Sequence, residues 1–245
     1  MPYAALYDSG NTALLRMQVA SMLYANITTG ITSWFGPGTK EDSRIPAQLA
    51  ADHGTTFSTA LYYEQEGYQD PSPAQIAADM DYAAARYFTD QSYLRIQGQP
   101  VVFVYANGAD GCGMADRWAQ GTAGKGLYVV LKVFPGYLSC ATQPSSWHQY
   151  SGASREDKQG RFSTTISPGF WKIGEPAPRL ARDPASFAAA VRDMVSRPTQ
   201  WQLIVSFNEL VEGTQIEATT QSFTPCSGWS VELNILHRNG QPGPC

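Results

Sequence analysis

Along the chain, runs of β-branched and aromatic residues alternate with segments whose apolar positions recur every three or four residues. "TTFSTALYY" (55–63), "PVVFVYA" (100–106), "GLYVVLKVF" (126–134) and "QLIVSFNE" (202–209) are bounded by Gly, Pro or polar clusters and predict strands. "ITTGITSWFG" (27–36) and "FSTTISPGF" (162–170) carry weaker signals of the same kind. Amphipathic helices are predicted between them. Within 72–88, Ile76, Met80, Ala83 and Tyr87 share a face, Ser72 and Gln75 offer a capping box, and Pro73 suits the first helical position. Within 183–197, Asp183 caps, Pro184 starts the helix, and Phe187, Val191 and Met194 form the apolar stripe. Leu15, Val19, Met22 and Leu23 lie together in 11–25. Trp229, Leu233 and Leu236 do so in 228–240, with Gly240 as the C-cap.

Strands that are apolar on both faces, alternating with helices, predict a parallel sheet covered by helices. Six or seven such units in 245 residues favour a (β/α)8 TIM barrel over an open doubly wound sheet. No GxGxxG turn follows a first strand, and "FGPGTK" lacks the Gly-Lys-Ser/Thr ending of a phosphate loop. No internal repeat or linker interrupts the pattern, so a single domain over 1–245 is expected.

The composition narrows the partners. A net charge of −4 and a pI near 5.4 argue against nucleic acid, which needs a basic surface. No apolar run approaches the roughly 18 residues of a membrane helix. The start, "MPYAALYDSG", has neither the basic region nor the apolar core of a signal peptide. Cys112, Cys140, Cys226 and Cys245 sit in Gly-, Ser- or Pro-rich stretches without a CxxC pair, and three scattered histidines do not suggest a zinc site. Two disulfides, Cys112–Cys140 and Cys226–Cys245, are expected, the alternative being four unpaired thiols. Disulfides imply an exported, secreted or cell-surface protein. "NIT" at Asn26 is a sequon by pattern.

Functional groups of a barrel lie at the C-terminal ends of its strands. Those ends present Trp34, Tyr63, Glu64, Tyr105, Lys132, Trp147, His148, Tyr150 and Asn208, an aromatic, polar and acidic set with little positive charge. Such a set suits a sugar, whose C–H faces stack on rings while polar side chains take its hydroxyls. The alternative is that the rings fill the barrel top, that His148 is a loop residue, and that Lys132 makes a structural ion pair. In "SFNELVEGTQIEA" (206–218), Glu209 and Glu212 are three residues apart at the end of the last predicted strand. Two carboxyl groups sharing a cleft are what glycoside hydrolysis requires, with mutual repulsion and burial dividing acid from base. Glu-x-x-Glu is also common on exposed helices, so the pair by itself leaves both readings open.

The run around the acids resembles the "NEW-x-EGTQIEP" motif of glycoside hydrolase family 99, the endo-α-1,2-mannosidase and mannanase family. "ITSWFGPG", "ALYYEQEGY", "QPVVFVYA", "WHQYSGA" and "TTISPGFW" resemble further family stretches in the same order. The resemblance implies a (β/α)8 barrel without a cofactor or metal, acting on α-mannosidic chains from within and retaining configuration. It implies an oligo- or polysaccharide substrate, and a monomer is expected. Carried over, Glu209 deprotonates the sugar 2-hydroxyl and Glu212 is the general acid and base. Asn208 touches sugar, and Glu217 orders the loop.

Two departures stand out. The family's aromatic residues between the two glutamates are Leu210 and Val211 here. This keeps open another α-glycanase, such as an α-1,3-glucanase, or a carbohydrate-binding barrel without turnover. The family's first strand is also absent before "YDS". The expectation is therefore an N-terminally truncated barrel, unless "PYAALY" (2–7) supplies that strand.

Overall fold

The computed structural model describes residues 7–243 and Cys245. Helix α1 (Thr12–Tyr24) leads into β1 (Thr29–Trp34), α2 (Ile45–Asp52), β2 (Ser58–Tyr63), α3 (Pro73–Arg86), β3 (Arg95–Ile96), β4 (Gln99–Val104), α4 (Cys112–Gly121), β5 (Tyr128–Lys132) and β6 (Ser146–His148). There follow β7 (Glu156–Gln159), β8 (Ser163–Ile166), α5 (Pro184–Ser196), β9 (Trp201–Ile204), β10 (Phe223–Thr224), β11 (Trp229–Ser230) and α6 (Val231–His237). The described chain forms two compact units, each gathered from separate stretches: Ser9–Arg16 with Thr28–Trp147, and residues 7–8 with Met17–Ile27 and 148–245.

The first unit holds one sheet in the order β1-β2-β4-β5-β6, with β3 folded back on β4. β1, β2, β4 and β5 pair in parallel, so each crossover passes through a helix: α2, α3 or α4. The apolar runs that predict β2, β4 and β5 are buried on both faces, whereas β1 is half-buried up to Trp34. Val101 through Val104 are all 0% exposed. On α3 the predicted stripe of Ile76, Met80 and Ala83 is buried, and Ser72 Oγ accepts from the Gln75 N–H. The capping box is only half formed, because the Gln75 side-chain amide turns forward to Asp79 at 2.8 Å. α2 and α4 lie outside the sequence prediction. α4 opens at Cys112, which the Gly-rich "DGCGM" assigned to a loop, and Gly121 lets it approach α3: a Cβ there would meet Ile76 at 2.7 Å.

In the second unit, β8 pairs in parallel with β9 and antiparallel with β7. α5 and α6 pack around Phe187, Val191, Met194, Leu233 and Leu236, and Asp183 caps α5 by accepting from the Ala185 and Ser186 N–H groups. α6 begins at Val231, later than predicted, because Trp229 joins the short β10–β11 hairpin. Gly240 adopts φ +75°, and its N–H donates to the Ile235 carbonyl at 2.8 Å, so it does close the helix. On α1, Met22 and Leu23 are half-buried, while the polar Gln18 and Ser21 take buried positions. The Asn26 side-chain amide donates to the Leu236 and His237 carbonyls, so a glycan attached there would remove one of the two donated protons.

Among the described residues, β1 has β2 as its strand neighbour and β9 has β8. The segment at 2–7 lies outside the described residues apart from Tyr7. Cys112 pairs with Cys140 and Cys226 with Cys245, with Cα separations of 5.3 and 6.4 Å, inside the disulfide range. The first bond ties the segment after β4 to the segment after β5; the second clips the stretch before α6 to Cys245. Non-reducing peptide mapping should recover both linked pairs and no free thiol at these four positions. Recovery of Cys112 and Cys140 as alkylated monomers would overturn the first pairing. No helix among the described residues is long and apolar enough to cross a membrane.

Candidate active site

The loop that carries the paired acids is built by its own backbone. The β9 ladder ends at Ile204, earlier than the sequence suggests, and β9 is half-buried, not covered on both sides. Val205 N–H still reaches the Ile166 carbonyl at 3.0 Å, but Ser206 N–H turns to the Thr214 carbonyl and Ile216 N–H returns to the Ser206 carbonyl, each at 3.0 Å. The stretch from 206 to 216 therefore closes on itself. Side chains lock it: Ser206 Oγ lies 2.8 Å from Thr214 Oγ1 and accepts from the Glu209 N–H at 3.0 Å. Arg182 braces the far side by donating to the Gly213 and Gln215 carbonyls at 3.0 and 2.8 Å, while also pairing with the buried Glu232 on α6.

Both acids project from this braced loop and are partly exposed. Glu209 Oε1 accepts from the Val211 N–H at 3.2 Å. Burial, and then the neighbouring Glu209 charge, push the Glu212 carboxyl above the ordinary carboxylate range, with Lys172 and Arg179 opposing them. A carboxyl with a raised pKa beside a second carboxylate is an arrangement by which acid–base chemistry can divide the two roles.

Asn208 is exposed, and its amide donates to the Tyr7 hydroxyl at 3.2 Å. Tyr7 in turn donates to Glu217 Oε2 at 2.8 Å, and Gln18 donates to Glu217 Oε1 at 2.8 Å. Burial and the Glu217 charge push the Tyr7 pKa up to about 12, so this hydroxyl keeps its proton. Glu217 is buried with both oxygens bonded, which is an ordering role. Sequence reasoning missed Tyr7 and Gln18, whose partners lie about 200 positions away. His148 is buried and Tyr150 half-buried in the same unit.

The remaining predicted residues belong to the first unit. Trp34, Tyr63 and Trp147 are all 0% exposed, which corrects their assignment as sugar-binding rings. Their polar atoms are engaged internally: Trp34 Nε1 donates to Asp42 at 2.7 Å, the Tyr63 hydroxyl to Asp79 at 2.8 Å, and Trp147 Nε1 to Gln143 at 2.9 Å. Glu64 and Tyr105 fit a polar site better. Glu64 accepts from Ser33 Oγ at 2.6 Å, and burial raises its pKa against that bond. Tyr105 is half-buried between Tyr62 and Tyr68, with Lys132 Nζ 5.4 Å from its ring centroid. Lys132 therefore makes a cation–π contact there. Gly67 is required there, since a Cβ would fall 2.1 Å from the Tyr105 ring.

Glu66, Asp70 and Asp110 bring carboxylate oxygens within 4.8 Å of one another, an arrangement that could hold a cation. The Arg117 guanidinium already serves them, bonded to Glu66 and 3.0 and 4.0 Å from Asp70 and Asp110.

No family model matches the sequence, and no curated protein does. The fold matches solved structures. The GH99 endo-α-mannosidase of Bacteroides thetaiotaomicron in complex with bis-tris-propane superposes with a TM-score of 0.75 at 16% identity, over 98% of this chain and 85% of that one. A second structure of the GH99 endo-α-mannosidase from that organism gives 0.74 at 16%, covering 98% and 80%. A glycoside hydrolase-like protein gives 0.68 at 16%, covering 99% and 89%. These likenesses show an α/β fold of the (β/α)8-barrel type, of which the parallel strands described above form part.

Proposed function

We propose that this chain is a glycoside hydrolase that cleaves α-mannosidic linkages of the α-1,2-mannan type from within the chain, with retention. One observation carries the reading. Glu212, its pKa raised by burial and the charge of Glu209, shares with it a loop braced by Ser206, Thr214 and Arg182, in a chain folded like two solved endo-α-mannosidase structures.

In the proposed reaction Glu209 removes the proton of the sugar 2-hydroxyl, and that oxygen attacks the anomeric carbon. The glycosidic C–O bond breaks as Glu212 protonates the leaving oxygen, giving a 1,2-anhydro sugar and a shortened glycan. Glu212, now ionised, takes a proton from water, whose oxygen attacks the same carbon. The C1–O2 bond opens and O2 recovers its proton from Glu209. Two inversions at one carbon give net retention. Asn208, positioned by Tyr7, supplies a sugar hydroxyl contact, and Tyr150 and His148, of the same unit, are further substrate contacts. The whole of 1–245 acts as one hydrolase domain and a monomer, in an exported protein that its two disulfides suit.

A second reading rests on Leu210 and Val211, which leave that part of the loop without aromatic rings. It is an α-glycanase of other linkage, such as an α-1,3-glucanase. Incubation with α-1,2-mannan, α-1,3-glucan and α-1,6-mannan, with released oligosaccharides read by chromatography, separates the readings. Internal fragments from α-1,2-mannan with α-anomers formed first support the proposal. Fragments from α-1,3-glucan alone transfer it to the second reading. Binding without any release would make the chain a non-catalytic carbohydrate-binding barrel.

A further inference from the structure

Trp171 is 56% exposed, and two other large apolar side chains are exposed as well, Ile173 on the same stretch at 74% and Val211 on the acid-bearing loop at 52%. They stand on two stretches joined directly. Trp171 N–H donates to the Glu212 carbonyl and Ile173 N–H to the Val211 carbonyl, each at 2.9 Å. Gly213 permits this approach. It adopts φ +64°, and a Cβ there would lie 2.9 Å from the Trp171 carbonyl oxygen. The segment bearing the tryptophan is thus fastened to the loop bearing the acids.

The indole is oriented as well. Its Nε1–H donates to the Glu175 carbonyl at 3.0 Å, so the group the ring still offers is its apolar surface. Arg179 pairs with the Glu175 carboxylate and covers the neighbouring Phe170 ring at 5.0 Å, which leaves Trp171 as the exposed ring of this segment. Scattered exposed apolar residues need no explanation, but here an oriented indole and two further exposed apolar side chains stand on two stretches bonded to each other at Val211 and Glu212. A sugar unit presents the matching chemistry, a C–H face for the ring and hydroxyls for solvent. Leu210 and Val211 supply no ring of their own, whereas Trp171 is an exposed ring on the stretch bonded to the Glu212 backbone.

We infer that Trp171, flanked by Ile173 and Val211, is a stacking subsite for a sugar unit one beyond the two that flank the cleaved linkage, and so a determinant of the chain length the protein accepts. This rests on the hydrolase reading for the position of the cleaved bond. The occupant is a neutral α-linked oligosaccharide.

The test uses the full chain with α-1,2-manno-oligosaccharides and α-1,3-gluco-oligosaccharides from two to six units. Trp171→Ala should raise KM about tenfold on the longer substrates that are cleaved, the effect of losing one aromatic stacking contact. It should leave kcat within about threefold and hardly change the disaccharide, since the contact forms equally in ground and transition states. Trp171→Phe should recover most of the affinity. The second readout needs no turnover: in Glu212→Gln protein labelled with 5-fluorotryptophan, the resonance absent from Trp171→Phe should shift on adding tetrasaccharide.

Cleavage with KM unchanged in Trp171→Ala and a static resonance would overturn the subsite while leaving the hydrolase intact. A shifting resonance without cleavage of any substrate would keep the subsite and remove the hydrolase. A static resonance without cleavage overturns both.

Discussion

Glu212→Gln should lower turnover of the cleaved glycan by about 10³-fold or more, and Glu209→Gln by a comparable factor, since each removes one partner of a proton transfer at the reacting bond. The fold should persist. Both side chains are partly exposed, and the Val211 N–H that Glu209 accepts can still be accepted by the amide oxygen of Gln. The pH profile adds a sign. Glu212 must hold its proton to act as the acid, so activity falls as pH rises through its elevated pKa. Removing the Glu209 charge relieves repulsion and lowers that pKa, so residual activity in Glu209→Gln should lose its alkaline limb at lower pH than the parent. Removing Lys172, whose charge pulls the Glu212 pKa down, should move the limb to higher pH. Retention of kcat within about threefold in both glutamine variants would end the mechanism.

Those two carboxylates were legible in the sequence because acids are rare in this chain and cluster in one short run after the last predicted strand. The helices at Pro73–Arg86 and Pro184–Ser196 were legible for a similarly local reason, a side-chain cap followed by proline and an apolar stripe. Trp34, Tyr63 and Trp147 were misread because a strand end shows which residues reach a given level but not which way each ring turns. That is decided by Asp42, Asp79 and Gln143, which accept from them across intervals of four to sixteen residues. α4 was hidden for the opposite reason. Its glycines read as a loop, whereas Gly121 serves close helix packing. Trp171 carried no periodic signal. Its place beside Glu212 arises from backbone hydrogen bonds between stretches about forty residues apart, formed only where Gly213 admits them.

Asp42→Ala should destabilise the protein by roughly 3–5 kcal/mol, the cost of removing one partner from a buried charged network. Asp42 is a hub. It accepts from Trp34 Nε1 at 2.7 Å, the Tyr87 hydroxyl at 2.6 Å, the Tyr82 hydroxyl at 2.7 Å and the Gly38 N–H at 2.9 Å. Burial works to raise its pKa, but these bonds outweigh it and hold the carboxyl below the ordinary range. Truncation would deprive two buried donors, on Trp34 and Tyr87, of the carboxylate, at about 1–3 kcal/mol for each unsatisfied group. At about 2–4 °C per kcal/mol for a chain of this size, Tm should fall by roughly 6–20 °C. The contribution of a depressed carboxyl is present above its unfolded pKa, about 3.9, and is lost as pH falls through the lower folded value. The gap between the parent and Asp42→Ala should therefore narrow below about pH 4. Trp34→Phe distinguishes the structural role of that ring from the sugar-binding one. A core ring whose N–H serves Asp42 predicts a lower Tm with KM unchanged within about twofold, whereas a sugar platform predicts the reverse. A Trp34→Phe protein with unaltered Tm and a tenfold higher KM would return Trp34 to the substrate site and remove Asp42 from the centre of this network.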